Sequence, residues 1–310
     1  MSGQVVFGAG PVGRAIAEEL AQSGIDVILA SRSGRGPGVT GATRVAIDAS
    51  DAQAVGELCR GASVIYNALN PQYHRWGTDW PPMAAALLSA AELSGAVLVT
   101  VSNLYAYGPV SGPITEELPL DARGTKGRIR AQMFADALRA HTEGRARTVE
   151  VRASDYIGPG AESHMGDRVI PRILAGKAVK VIGATDQPHS WTYVTDVATL
   201  AIASGADESS WGRAWHVPSN PPRTQEQAVA DLAAIADLPA PKVSAYPGWM
   251  MAAIGLFSPT VREVRETTYQ FAAPFVMDST AAQQHFGITA TPWSEVLTAT
   301  MNSYREPQPV

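Results

Sequence analysis

Three glycines near the start of the chain stand in a fixed pattern, Phe7-Gly8-Ala9-Gly10-Pro11-Val12-Gly13, which reads G-x-G-x-x-G. The chemistry that this spacing serves is anion binding by the backbone. Gly8 permits a tight turn, Gly10 lets the main chain approach a pyrophosphate, and Gly13 lets a helix lie close against a strand. Pro11 and Val12 open that helix, whose free amides and positive dipole end then face the phosphates. Alone the pattern is weak, and a plain tight turn is the bland alternative. Its place between an apolar strand and an amphipathic helix makes a dinucleotide the predicted ligand.

The end of the second strand bears on which dinucleotide. NAD(H) sites place Asp or Glu there to hold the ribose 2′-hydroxyl. This chain reads Leu29-Ala30-Ser31-Arg32-Ser33, with no carboxylate. Arg32 can pair with a 2′-phosphate and stack on adenine, so NADP(H) is expected over NAD(H). The competing reading leaves Arg32 a solvated loop charge. Asp48, ending the third strand, either accepts from the adenine amino group or caps the following helix with Ser50.

Those residues need elements to carry them. From residue 1 to about 155, strands alternate with helices, the signature of an α/β, doubly wound parallel sheet of Rossmann type. Strands are expected at Gln4–Phe7, Asp26–Ala30, Thr43–Ile47, Ser63–Asn67, Val97–Val101 and Arg147–Ala153. Helices are expected at Pro11–Gln22, Ala52–Arg60, Pro82–Ser94 and Gly127–His141. Residues 156–310 read as a smaller, mixed α+β substrate lobe, with the chain free to cross between lobes. In that lobe Thr224-Gln-Glu-Gln227 is a capping box, Thr291-Pro292 a helix start, and Asp196 the cap of a helix Val197–Ser204.

Hydrophobic residues make up 45% and charged ones 17% of the 310, which excludes a disordered chain. A net charge of −5 offers no footprint for nucleic acid or an anionic membrane. The first residues lack a basic n-region, and no apolar run approaches a membrane span, so a soluble, cytoplasmic protein is expected. Cys59 is the single cysteine, and the six histidines never fall at i, i+4. Neither a thiolate cage nor a zinc helix is therefore predicted.

With these residues placed, the chain resembles the extended short-chain dehydrogenase/reductase superfamily, in its NAD(P)-dependent epimerase/dehydratase group. The markers run almost the whole length: Gly8–Gly13, Asn67-Ala68, Ser102-Asn-Leu-Tyr-Ala-Tyr-Gly108, Arg152…Tyr156-Ile-Gly-Pro-Gly160 and His189-Ser-Trp-Thr-Tyr-Val-Thr-Asp196-Val-Ala198. The resemblance implies that Asn67 and Ala68 border the cofactor, and by analogy alone it suggests a homodimer through two helices per subunit. It also implies a serine after the fifth strand and a Tyr-x-x-x-Lys pair on the next helix, the tyrosine moving a proton and the lysine holding the ribose.

Here the sequence departs from its relatives. The helix region, Asp121-Ala-Arg-Gly-Thr-Lys-Gly-Arg-Ile-Arg130, has no tyrosine. One register puts Ala122 at the tyrosine position, beside Thr125-Lys126. The other puts Lys126 there and Arg130 at the lysine position. Lys126 matters in both, against the plain reading of a lysine in solvent. Asn103 takes the serine position and can polarise a carbonyl through its amide hydrogens. Tyr105 or Lys126 then replaces the missing acid, with Tyr156 a third candidate and Tyr107 assigned to packing. Tyr73, Trp76 and Trp80 either wall an apolar pocket or pack internally.

Three functions follow as expectations. The first is an NADP(H)-dependent oxidoreductase acting on a small, largely uncharged carbonyl or alcohol through a non-standard proton relay. The second is an NADP(H)-binding sensor without turnover. The third is a sugar-nucleotide epimerase or dehydratase, against which the missing pair counts.

Overall fold

The computed structural model describes residues 3–161, 163, 165–247, 250, 263 and 265–305, so His164 and Trp249 lie outside the described residues. These residues gather in two compact units. One draws on 1–106, 120–153 and 195–217, the other on 107–119, 154–194 and 218–310. Compared with a single boundary at 155, residues 107–119 leave the first unit and 195–217 return to it.

The first unit is built on a seven-stranded sheet. Its strands are β1 (Gln4–Phe7), β2 (Val27–Ser31), β3 (Ala42–Ala46), β4 (Val64–Asn67), β5 (Val97–Asn103) and β6 (Arg147–Ala153), with a last strand Ala214–His216. The order is Ala214–His216, β6, β5, β4, β1, β2, β3, and every pair is parallel. This is the doubly wound arrangement expected from the alternating pattern. The strand order reverses at β1 and β4, where Phe7 lies opposite both Ala30 and Asn67. In such sheets ligands bind outside the carboxyl ends of the strands at the reversal. Strand limits differ from expectation by at most one residue, except that β5 runs two residues further, to Asn103.

Helix α1 (Pro11–Gln22) buries Val12, Ile16, Ala17 and Leu20, the i, i+4 face that its sequence promised. Helix α2 (Ala52–Leu58) starts at Asp51, whose carboxylate accepts from the amides of Gln53 (3.1 Å) and Ala54 (3.0 Å). Asp51, and not Asp48, is therefore the cap of this helix.

Helix α3 spans Trp76–Ser94 and begins a full turn and a half before the expected Pro82, with Pro81 and Pro82 inside it. An interior proline costs about 3 kcal/mol. Against that, Trp76 and Trp80, one turn apart, are 1% and 0% exposed. Each indole buries on the order of 200 Å², roughly 5 kcal/mol at about 25 cal/mol per Å². Burial outweighs the two lost amides, so the helix forms through the prolines. Helix α4 (Thr125–Thr142) buries Lys126, Gly127, Arg130 and Ala140. Among the described residues no helix is long and apolar enough to cross a membrane.

The second unit has its own apolar core, formed by Ile170, Ile173, Val229, Leu232, Leu297 and Met301 with their neighbours. Two small parallel pairs flank it, Asp155–Ile157 with Trp191–Tyr193 and Val179–Val181 with Val243–Ala245. The capping box forms as its spacing predicts, since Thr224 accepts from the Gln227 amide and Gln227 from the Thr224 amide. The helix Val194–Ala206 starts earlier than Val197, so Asp196 sits in its first turn and is not its cap. A carboxylate there still complements the positive end of the helix dipole.

Candidate active site

The glycine turn leaves β1 with Gly8 at φ 106°, in the left-handed region that glycine tolerates. A Cβ on Gly8 would come 2.4 Å from the Ala68 carbonyl oxygen, and one on Gly13 would come 1.8 Å from the Gly8 oxygen. Both glycines thus let β1, α1 and the end of β4 close on one another. Gly10 differs: nothing lies within 4 Å of where its Cβ would be. It is the N-cap of α1, no side chain caps the helix, and Pro11 follows at the first helical position. The start of α1 therefore presents free amides to open space, which fits a diphosphate.

Ser31 ends β2 and accepts from the Gly34 amide (3.2 Å). Arg32 is exposed beside it. Asp48 accepts from the Ser50 hydroxyl (2.7 Å) and amide (2.9 Å). Those bonds hold its carboxyl below the usual carboxylate range, and the Arg32 charge adds to the effect. The bonds fix Asp48 in an Asx turn ahead of the helix that Asp51 caps. Asn67 is buried, its side-chain oxygen accepting from the Leu69 amide (3.3 Å), and the Ala68 amide donates to Phe7 (2.8 Å).

A second group of residues meets at the end of β5. Asn103 accepts from the Tyr105 amide through Oδ1 (3.1 Å). Because a backbone N–H requires an acceptor, this contact fixes the amide's orientation and leaves its two hydrogens for a ligand. Ser102, one residue earlier and so on the other face of the sheet, is 2% exposed. Tyr105 stands on a 3₁₀ turn, Leu104–Tyr107, half-buried. Its hydroxyl lies 2.7 Å from that of Tyr73.

Lys126 is 1% exposed, which removes the reading of a lysine in solvent. Its ammonium lies 5.4 Å from the centre of the Tyr73 ring. One turn on, the buried Arg130 guanidinium lies 4.9 Å and 4.4 Å from the Trp76 and Trp80 rings. Ala122 precedes the helix, so only the register pairing Lys126 with Arg130 sets both positions on α4. Gly127 permits this closeness, since a Cβ there would come 2.4 Å from the Tyr105 carbonyl oxygen. Trp76 and Trp80 are interior residues, 1% and 0% exposed, which favours internal packing.

In the first unit Asn103 thus touches Tyr105, and Tyr73 stands between Tyr105 and Lys126. Tyr156 lies in the other unit, half-buried on the strand Asp155–Ile157. Sequence reasoning passed over Tyr73 as a hydroxyl partner, and over Gly127. A glycine inside a helix start costs about 1 kcal/mol, and that cost was the available signal that something packs against it.

Fold and site define a dinucleotide-binding α/β protein with polar and cationic side chains gathered at the strand ends. The sequence profile of the NAD dependent epimerase/dehydratase family matches residues 5–210, and the chain belongs to that family. Its members are nicotinamide-dependent enzymes of oxidoreductase type. No curated protein matches the chain.

Several solved structures resemble it throughout. UDP-glucose 4-epimerase of Thermotoga maritima, with UDP-glucose, has a TM-score of 0.81 at 16% identity over 98% of each chain. MoeE5 in complex with UDP-glucose and NAD gives 0.79 at 19%, over 98% of each. The dTDP-glucose 4,6-dehydratase of Bacillus anthracis, with NAD, gives 0.79 at 16%, over 98% of this chain and 97% of that one. At these identities the likeness shows the fold.

Proposed function

We propose that the protein exchanges hydride at an alcohol or carbonyl carbon, preferring NADP(H), with Tyr105 as the acid that gives or takes the substrate proton. The observation that carries this reading is a chain of contacts: Asn103 accepts from the Tyr105 amide, the Tyr105 hydroxyl meets that of Tyr73, and the buried Lys126 stands over the Tyr73 ring. The bound nicotinamide supplies or accepts the hydride. Asn103 turns its amide hydrogens toward the substrate oxygen and polarises it. Tyr105 passes a proton to that oxygen, or removes one in the oxidative direction. Lys126, held out of water, places positive charge where phenolate character develops. Arg32, beside Ser31 and with no carboxylate on the strand end, supports the preference for a 2′-phosphate.

Two substrate classes fit this step. Sugar nucleotides draw support from the neighbouring structures: two of the same fold hold UDP-glucose or UDP-glucuronic acid with NAD, and a third is a dTDP-glucose 4,6-dehydratase with NAD. A small, largely uncharged carbonyl or alcohol draws support from the altered relay, which departs from the pair those reactions use. Incubation with UDP-glucose, UDP-glucuronic acid, dTDP-glucose and a panel of aldehydes and ketones, each with NADPH or NADP⁺, separates them. An epimerase or dehydratase converts the sugar without net change in the 340 nm absorbance, whereas a reductase consumes NADPH in proportion to product. Tight cofactor binding without turnover on any of these substrates would leave the sensor in place of an enzyme.

A further inference from the structure

Tyr73 belongs to the turn Tyr73–Arg75 directly before α3, in a loop after a different strand from the one that carries Tyr105. Their hydroxyl oxygens are nevertheless 2.7 Å apart, so one donates to the other. The rings stand at 90° with centroids 6.5 Å apart, which makes the contact one of hydroxyls and not of stacked faces. Tyr73 is itself fixed. Its ring lies edge-on to Trp76 at 5.3 Å, and the Trp76 indole N–H donates to the Pro71 carbonyl at 2.9 Å. The Lys126 ammonium stands over the same ring. Packing against Trp76 and Lys126 uses only the ring of Tyr73, and its hydroxyl is what reaches Tyr105.

We infer that Tyr73 is the positioning residue of this site: its hydroxyl aims that of Tyr105 and refills it with a proton. The inference rests on the reading of Tyr105 as the acid. In the reductive direction the Tyr105 O–H bond breaks as its proton bonds to the substrate oxygen, which the family's hydride chemistry has made basic. In the same step the Tyr73 O–H bond breaks as its proton moves to Tyr105. Negative charge comes to rest on Tyr73, over whose ring the Lys126 ammonium stands, and a proton from water restores it. Oxidation runs the same transfers backwards. Among the described residues, the Lys126 ammonium stands over the Tyr73 ring, and Arg130, one turn on along α4, stacks on Trp76 and Trp80. Arg75 and Asp79, beside Tyr73, are paired with each other at 2.8 Å.

The test uses the full chain labelled with ¹³Cζ-tyrosine and titrated with pH by NMR, with signals assigned from Tyr73→Phe and Tyr105→Phe. A shared proton makes whichever phenol ionises first do so more easily, because the other hydroxyl donates to its anion. With the anion resting on Tyr73, that phenol ionises first, so Tyr105→Phe should raise the midpoint of Tyr73 by about one pH unit, and Tyr73→Phe, which removes the neighbouring anion, should lower that of Tyr105. With NADPH and whichever substrate the panel identifies, Tyr73→Phe should lower kcat by at least about tenfold, leaving KM and NADPH affinity within twofold. The rate in mixed H₂O and D₂O should change from a curved dependence, two protons in flight, to a linear one. Identical Tyr105 titration in the parent and in Tyr73→Phe overturns the inference. So does loss of turnover in Tyr105→Phe with Tyr73→Phe behaving as the parent. Unchanged turnover in Tyr105→Phe overturns the acid itself, and is distinguishable because the NMR titration still reports on the pair.

Discussion

A phenol with an ordinary pKa near 10 holds its proton at neutral pH and gives it up efficiently only where a cation steadies the anion. In the proposed relay that cation is Lys126, buried with its ammonium over the Tyr73 ring. Tyr105→Phe and Lys126→Met should each lower kcat by at least about a hundredfold, since a positioned acid contributes 10²–10⁴ in rate. NADPH affinity, read by calorimetry, should stay within a few-fold. Cofactor choice is a second matter of single residues. NADPH should bind at least about tenfold more tightly than NADH, because a charge-assisted bond contributes roughly 1.5–3 kcal/mol. Arg32→Ala should remove most of that difference, and equal affinities in the parent would count against the 2′-phosphate reading. The positions of Asn103, Tyr105 and Lys126 at the end of β5, on the turn after it and at the start of α4 were legible from their distances to strand and helix ends. The Tyr73 contact was not, because the two tyrosines are 32 residues apart and nothing in their spacing encodes a meeting of hydroxyls.

Among elements, the three glycines of the first turn do different work, and valine at each should separate them. Gly10→Val points a side chain into open space. It should abolish binding of either cofactor while leaving denaturant unfolding unchanged. Gly13→Val drives a side chain into the Gly8 carbonyl, and should destabilise by several kcal/mol through overpacking. Cys59, wholly buried with its thiol pushed up to about 12 by desolvation, gives an independent reading. Thiol reagents should modify it slowly in the parent and in Gly10→Val, and much faster in Gly13→Val. Gly127→Ala sets two effects against each other. Helix propensity gains about 1 kcal/mol, but the new methyl meets Ala122 and the Tyr105 carbonyl at 2.3 and 2.4 Å. Overpacking of this kind costs about 1–3 kcal/mol, so urea unfolding should show a net loss, and turnover should fall as Tyr105 is displaced. The start of α3 shows why element limits were harder to read than element types. Two prolines signal a helix start locally, and only the burial of Trp76 and Trp80 against other elements overrules them.

At the scale of the whole molecule, the parallel sheet was legible from its alternation, but its membership was not. A three-residue strand such as Ala214–His216 carries no period long enough to tell which sheet it joins. Its register, with Trp215 opposite Val151 and His216 opposite Arg152, is set by the chain returning from residues 154–194 of the other unit. That return has a consequence for biosynthesis. At roughly 5–20 residues per second, the ribosome delivers β6 several seconds before the strand that covers it. Throughout that interval β6 is the rim of an unfinished sheet, an invitation to pair with another nascent chain. The strand reads Arg147-Thr-Val-Glu150-Val-Arg152-Ala, and charges on an exposed rim are a known deterrent to such pairing. In the finished protein Glu150 and Arg152 face each other at 2.6 Å with 5% and 1% of their side chains exposed. A buried ion pair is weak evidence for stability. A fragment ending at residue 155 should self-associate, and one carrying Glu150→Val and Arg152→Val should do so at markedly lower concentration in light scattering, even where the full-length double variant folds normally.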